Sequence, residues 1–251
     1  MSLPVVLAGV AGLFVGSFLN VCIHRLPLRT SVVSPRSRCP ACRTILPPID
    51  LIPVFSYLWL RGRCRSCGVG IGLRYPLVEL ATAVAFGAAV ARWGSSLAAL
   101  QAAVFLSLLI VACLTDLQTG IIPNRVTVPG TIVGLALAAV GPASLVTAVL
   151  GVIAGGGTLL LLALISRGGM GGGDIKLGAL MGAFLGWPHI GVALAVAFLA
   201  GGVAGMGLMA AQRKRRRDEI TFGPFLGAGA VAALFWGASI LLWYGGILRP
   251  S

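Results

Sequence analysis

The sequence predicts an all-α polytopic membrane protein of about eight transmembrane helices, with one small polar domain between the first and the second. Three observations lead there. Hydrophobic residues make up 58% of the 251 positions and charged residues 10%, with a mean hydropathy of +1.00, outside the soluble range. Apolar runs of roughly membrane-spanning length recur along the chain. Only one long stretch, His24 to Arg74, is polar, and it holds four of the six cysteines in two C-x-x-C pairs, a zinc-ribbon-like pattern.

Leu3 to Ile23 is the first span, of the length needed to cross a bilayer core. The basic residues follow this run and no small-residue cleavage site is present, so the span is expected to stay, with its N-terminus outside. Residues 24–74 form the extramembrane domain. Further spans are expected at Tyr75 to Ala91, Leu97 to Leu114, Val126 to Val140, Leu145 to Ile165, Ile175 to Leu185, Ile190 to Ala211 and Phe222 to Leu248, making residues 75–251 a seven-helix transmembrane domain. Cytoplasmic loops carry an excess of Lys and Arg. With an outside start, 17 of the 19 basic residues fall inside, leaving only Arg92 and Arg249 outside. The sixth span is short, about 17 Å at 1.5 Å per residue. Deleting it would turn the Arg213 to Arg217 cluster outward, so it is kept, with Asp174 at its start in a thinned or water-filled recess.

The net charge of +13 is thereby a matter of topology and anionic lipid. No aromatic residues interleave with the basic cluster, so nucleic acid is not an expected partner; the lipid bilayer is. Cys39-x-x-Cys42 and Cys64-x-x-Cys67 have the spacing of four-cysteine zinc ribbons. Four thiolates close a tetrahedron, so the Zn2+ would be structural. Paired redox sites would want a βαβ setting that this loop is too short to supply. Cys22 and Cys113 read as small packing residues. Ile49 to Leu60 mixes apolar and aromatic residues and suits a segment on the membrane surface. Asn20 in the first span is expected to make an interhelical hydrogen bond.

Asp116 ends the third span, in LTDLQTGIIPN, and Asp174 opens the sixth from the same side after a glycine strap running from Gly168. Only six acids occur in the chain, and ionisable residues at membrane spans are functional candidates by default. Two carboxyls brought together cannot both ionise, which suits acid-pair hydrolysis. A cap for a helix starting at Ile175 is the structural alternative for Asp174. A transporter or channel using Asp116 and Asp174 as an ion or proton relay is the functional one, although such sites favour the bilayer midplane between repeated halves and no repeat is present.

The blocks GSFLNVCIHRLP (Gly16 to Pro27), CPAC (Cys39 to Cys42), DLIPVFSYLWLRGRCRSC (Asp50 to Cys67), RYPLVEL (Arg74 to Leu80), GMGGGDIKLGA (Gly169 to Ala179) and FGPFL (Phe222 to Leu226) together resemble the prepilin peptidases, the leader peptidase and N-methyltransferases of type IV pilus and type II secretion systems. Gly171-x-Gly173-Asp174 also resembles the G-x-G-D signature of intramembrane aspartic proteases. The resemblance implies cleavage of the basic leader of prepilin-like proteins at the cytoplasmic face of the bacterial inner membrane, with Asp116 and Asp174 as the catalytic pair. It further implies methylation of the freed amine with S-adenosylmethionine, assigned to the first cytoplasmic domain. Candidates for that second site are Asp50, Gly62, Arg63 and Glu79. The family's Gly-Lys pair before the third cysteine reads Gly62-Arg63 here, and Arg keeps its proton where Lys can lose one. Glu79, three residues after Pro76, equally fits ordinary helix-start chemistry.

Overall fold

The computed structural model describes residues 2–141, 144–166, 170–210 and 221–247, with the side chains of 208–210 and 247 excepted. The expected Arg213 to Arg217 anchor and the strap residues Gly168 and Gly169 lie outside them. Nine α-helices run through the described residues: α1 Leu3–Arg25, α2 Phe55–Trp59, α3 Arg74–Trp93, α4 Leu97–Thr119, α5 Asn124–Val140, α6 Leu145–Ile165, α7 Gly172–Leu185, α8 His189–Ala210 and α9 Gly223–Ile247. Each expected span is helical over its described residues, Phe222 apart, and α2 is an addition within the polar domain. Six (α1, α3, α4, α6, α8 and α9) are long and apolar enough to cross a membrane; α5 has 17 residues and α7 only 14.

The chain forms two compact units, Met1–Val111 and Ala112–Ser251. In the first, α1 packs along α3 through Gly12 and Gly16. A Cβ at Gly12 would stand 2.7 Å from the Ala83 Cα, and one at Gly16 2.7 Å from the Glu79 Cα. Small residues four apart let two membrane helices approach to backbone contact. Asn20 Nδ2 donates to the Tyr75 carbonyl at 3.0 Å, the expected interhelical bond. Between these helices the polar segment carries a 3-10 turn, Pro48–Leu51, and α2, whose Phe55, Leu58 and Trp59 are exposed and leave an apolar edge.

The second unit is built around α7. Its Leu177, Leu180 and Met181 are fully buried. Gly178 and Gly182 meet Gly155 and Gly151 of α6 backbone to backbone, so a side chain at any of the four would displace the neighbouring helix. A 14-residue helix rises only about 21 Å at 1.5 Å per residue. Glycine contacts compensate for that shortness by bringing α7 close to α6 along its length. The helix starts at Gly172 with Gly171 as N-cap, three residues earlier than the sequence reading. Asp174 therefore lies in the first turn and is not the cap.

Candidate functional site

Asp116 and Asp174 both belong to the second unit. Asp116 rides on the last turn and a half of α4 and is 5% exposed; Asp174, in the first turn of α7, is 9% exposed. The start of α9 is seated on Asp116 through Gly223, and Ile122, six residues after Asp116, is seated against Gly173 next to Asp174, so both acids lie at one end of the second unit. Burying two acids together is costly unless their oxygens are satisfied or reserved. Asp116 Oδ2 accepts the backbone N–H of Gly223, the first residue of α9, at 3.0 Å. A Cβ at Gly223 would stand 2.6 Å from that same oxygen, so this position must be glycine for the amide to reach the carboxylate. Asp174 Oδ1 has no hydrogen-bond partner. One acid is thus held and the other keeps a free oxygen, the division of labour that a water and a carbonyl group between them would need.

Of the glycines just before Asp174, Gly173 is the one that packing requires. A Cβ at Gly173 would press on Ile122 at 3.0 Å, so glycine lets the loop after α4 seat against the start of α7. Lys176 Nζ donates to Asn124 Oδ1 at 2.8 Å and ties the first turn of α7 to that of α5. The α4–α5 connection and the α7 N-terminus are thereby fixed to each other, which sets the relation of the two acids.

The first unit gathers the four cysteines. Cys39, Cys42, Cys64 and Cys67 bring their Sγ atoms within 4.8 Å of one another, with Cys39 and Cys67 at 3.8 Å and Cys42 and Cys64 at 4.0 Å. Four sulfurs about 2.3 Å from a tetrahedral zinc have edges of about 3.8 Å, so the donor set fits that ion. Each C-x-x-C sits in the same knuckle. The bridges Arg38 to Ile45 and Arg63 to Gly70 are offset by the same interval as the cysteines, and the residue after each second cysteine, Arg43 or Gly68, has positive φ. The Thr44 hydroxyl and amide beside Cys42 lower its thiol to about 6, which favours the thiolate a metal requires.

A cavity of about 650 Å3 opens between the C-terminal half of α1, the N-terminal end of α3 and the cysteine module. Asp50 and Glu79 line it; Gly62 and Arg63 do not. Asp50 is engaged by Arg65, whose Nε and Nη2 donate to its carboxylate at 2.7 to 3.1 Å, so it fastens the 3-10 turn to the second knuckle. Gly62, at φ +65°, lies against the Tyr57 ring, and Tyr57 Oη donates to the Ile71 carbonyl. Arg63 is exposed. Glu79 is 8% exposed, and its Oε2 accepts the Val54 N–H at 2.7 Å. Val54 has φ +60°, a strained state for a β-branched residue, and this hydrogen bond helps hold it.

A model of the bacterial peptidase A24 N-terminal domain matches residues 10–93, and one of the type IV leader peptidase family matches residues 103–206. The chain is 40% identical over 234 residues to the prepilin leader peptidase/N-methyltransferase of Bacillus subtilis, covering 93% of this chain and 94% of the relative. It belongs to the type IV leader peptidase family. Proteins of the same name from Burkholderia pseudomallei, 41% identical over 94% of this chain and 87% of theirs, and Aeromonas hydrophila, 37% identical over 92% and 90%, agree. No solved structure matches.

In this leader peptidase family member the match over residues 10–93 spans the cysteine module, and the match over residues 103–206 holds both aspartates. Gly223 lies beyond both and was missed as a site residue from sequence. The FGPFL block contained it, but a glycine that serves through its amide leaves no side-chain signal.

Proposed function

We propose that this chain cleaves the leader of prepilin-like substrates with Asp116 and Asp174 as the acid pair, at the cytoplasmic face of the bacterial inner membrane. It then methylates the new N-terminal amine. The observation that carries this reading is the burial of two carboxyls at one end of the second unit, Asp116 of α4 with an oxygen held by an amide and Asp174 of α7 with an unpartnered oxygen. Family membership supports hydrolysis over an ion relay.

In this reading the ionised carboxylate removes a proton from water as the oxygen attacks the scissile carbonyl, and the protonated partner hydrogen-bonds the carbonyl oxygen. The C–N bond then breaks, with the leaving amine taking up the proton. Asp116, held at Oδ2 by the Gly223 amide, suits the ionised role, because a hydrogen bond to a carboxylate favours its charged form. Cys39, Cys42, Cys64 and Cys67 would hold a structural Zn2+ that fixes the 24–74 domain. S-adenosylmethionine would supply an electrophilic methyl group to the freed amine. The substrate's apolar segment would reach the acids through the bilayer, and the basic 24–74 domain would rest on anionic lipid.

The test is incubation of the purified protein in detergent with a prepilin-like peptide and S-adenosylmethionine, following product mass. The expected result is loss of a leader-sized fragment and gain of one methyl group, with Asp174→Asn giving neither. Full cleavage by Asp174→Asn would overturn the acid-pair reading.

A further inference from the structure

The first turn of α9 has few amides to give. Pro224 has no N–H, and those of Phe225 and Leu226 both donate to the Phe222 carbonyl, at 3.0 and 3.1 Å. Gly223 is therefore the single donor that this turn offers, and Asp116 Oδ2 receives it at 3.0 Å. One amide, placed by a whole helix, must meet one oxygen, so the seat of α9 on α4 sets the bond. The residue one turn before Asp116 on that face of α4 is Cys113. Its Sγ donates to the Gly223 carbonyl at 3.4 Å, so Gly223 is gripped by its amide and its carbonyl from two successive turns of one helix.

A second contact completes the grip. A Cβ at Gly227, one turn into α9, would fall on Cys113 Sγ, so glycine there leaves a hollow that the sulfur fills. Gly223 and Gly227 thus present two hollows four residues apart, and Asp116 and Cys113 enter them in turn. A contact at Gly223 alone would let α9 tilt about that point; a second contact one turn away removes the freedom. Free cysteine usually serves as a small apolar filler with a weak donor, and here both properties act on the residue that serves Asp116. We propose that Cys113 is a positioning residue of the acid pair: its sulfur, seated between Gly223 and Gly227, sets the Gly223 amide on Asp116 Oδ2. The proposal rests on the acid-pair reading above and deepens it by naming what aligns the held carboxylate.

The test combines leader cleavage with amide hydrogen exchange of the purified full chain in detergent, read at Gly223 by fragment mass spectrometry. Cys113→Ala only removes atoms, and yield and melting temperature verify its fold. It is expected to lower kcat by about tenfold with little change in KM, a part of the roughly 100-fold that a misplacement of about 1 Å costs. Exchange at Gly223 is expected to quicken by about fivefold as its bond to Asp116 weakens. Gly227→Ala puts a methyl group on the sulfur and should act in the same direction. In the Cys113→Ala/Gly227→Ala double variant that methyl fills the sulfur's place, and both readings should return to within about threefold of wild type. Wild-type Gly223 exchange in Cys113→Ala, or a double variant no better than the singles, would overturn the assignment, while an inactive Asp174→Asn kept the acid pair standing. A lowered melting temperature with wild-type kcat would mark a merely structural role and overturn it too. If Asp174→Asn cleaves as wild type does, the acid-pair reading falls, and Gly223 exchange alone decides whether Cys113 places that amide.

Discussion

At the scale of single residues the proposed site consists of two carboxyls and one amide. Asp116→Asn and Asp174→Asn are each expected to lower leader cleavage by about 1,000-fold or more, because the remaining amide cannot exchange the proton. Membrane insertion, checked by yield and helical content, should be unchanged. Gly223→Ala tests the amide. The added methyl would meet Asp116 Oδ2, and an error of this kind in a reacting group costs about 100-fold in rate. The expected pattern in a kinetic comparison is a fallen kcat with little change in KM; a KM effect alone would show that Gly223 serves substrate binding. Cleavage should also decline on both sides of a pH optimum. At low pH both acids are protonated and no base remains, and at high pH both are ionised and no acid remains. A rate that rises to a plateau would indicate a single titrating group.

Among the elements, α7 and the cysteine module are built on opposite means. The helix is held by glycines: Gly182 faces Gly151 and Gly178 faces Gly155 at backbone contact. Gly182→Leu should therefore force α6 and α7 apart and cost at least the ~1–3 kcal/mol typical of overpacking, read as a lower melting temperature in detergent. Cleavage should fall with it, since Asp174 sits on the displaced helix. Half-buried Gly157 has nothing within 4 Å of its would-be Cβ, and Gly157→Ala on the same α6 helix should leave the melt unaltered. The cysteine module has few apolar residues to bury and relies on its four sulfurs. Cys39→Ser should reduce zinc, measured by elemental analysis, from about one per chain to near zero, because three thiolates hold a structural ion far less firmly.

For the molecule as a whole, the two proposed chemistries would fall in different units. The cysteine module and the cavity lie within Met1–Val111, and both aspartates within Ala112–Ser251. Cys39→Ser should consequently suppress methylation of the product while cleavage continues, as read from the two mass changes in one assay. Equal loss of both would mean that the module is needed for the peptidase unit to fold or to receive its substrate.

Run length and composition were enough to locate the six helices long enough to cross a membrane, since an apolar run of that length has no other stable state in a bilayer, while the short α7 was kept on the distribution of basic residues. The C-x-x-C spacing likewise foretold the four-cysteine cluster, because each knuckle is a local structure. Asp116 and Asp174 stand out in the sequence by scarcity and topology, and the structure buries both. Three features were not legible there. The start of α7 at Gly172 was hidden because a glycine run carries no helix signal, and only packing against α6 and Ile122 favours the extra turn. Gly223 acts through a backbone amide brought to Asp116 from 107 residues away. Cys113 reads in the sequence as a packing residue, and its contacts with Gly223 and Gly227 exist only once α4 and α9 meet. The sequence by itself determined which residues could do chemistry, because residue type and span boundaries are local properties. The tertiary structure decided which atoms of those residues are satisfied and which remain free, because hydrogen-bond partners come from distant parts of the chain.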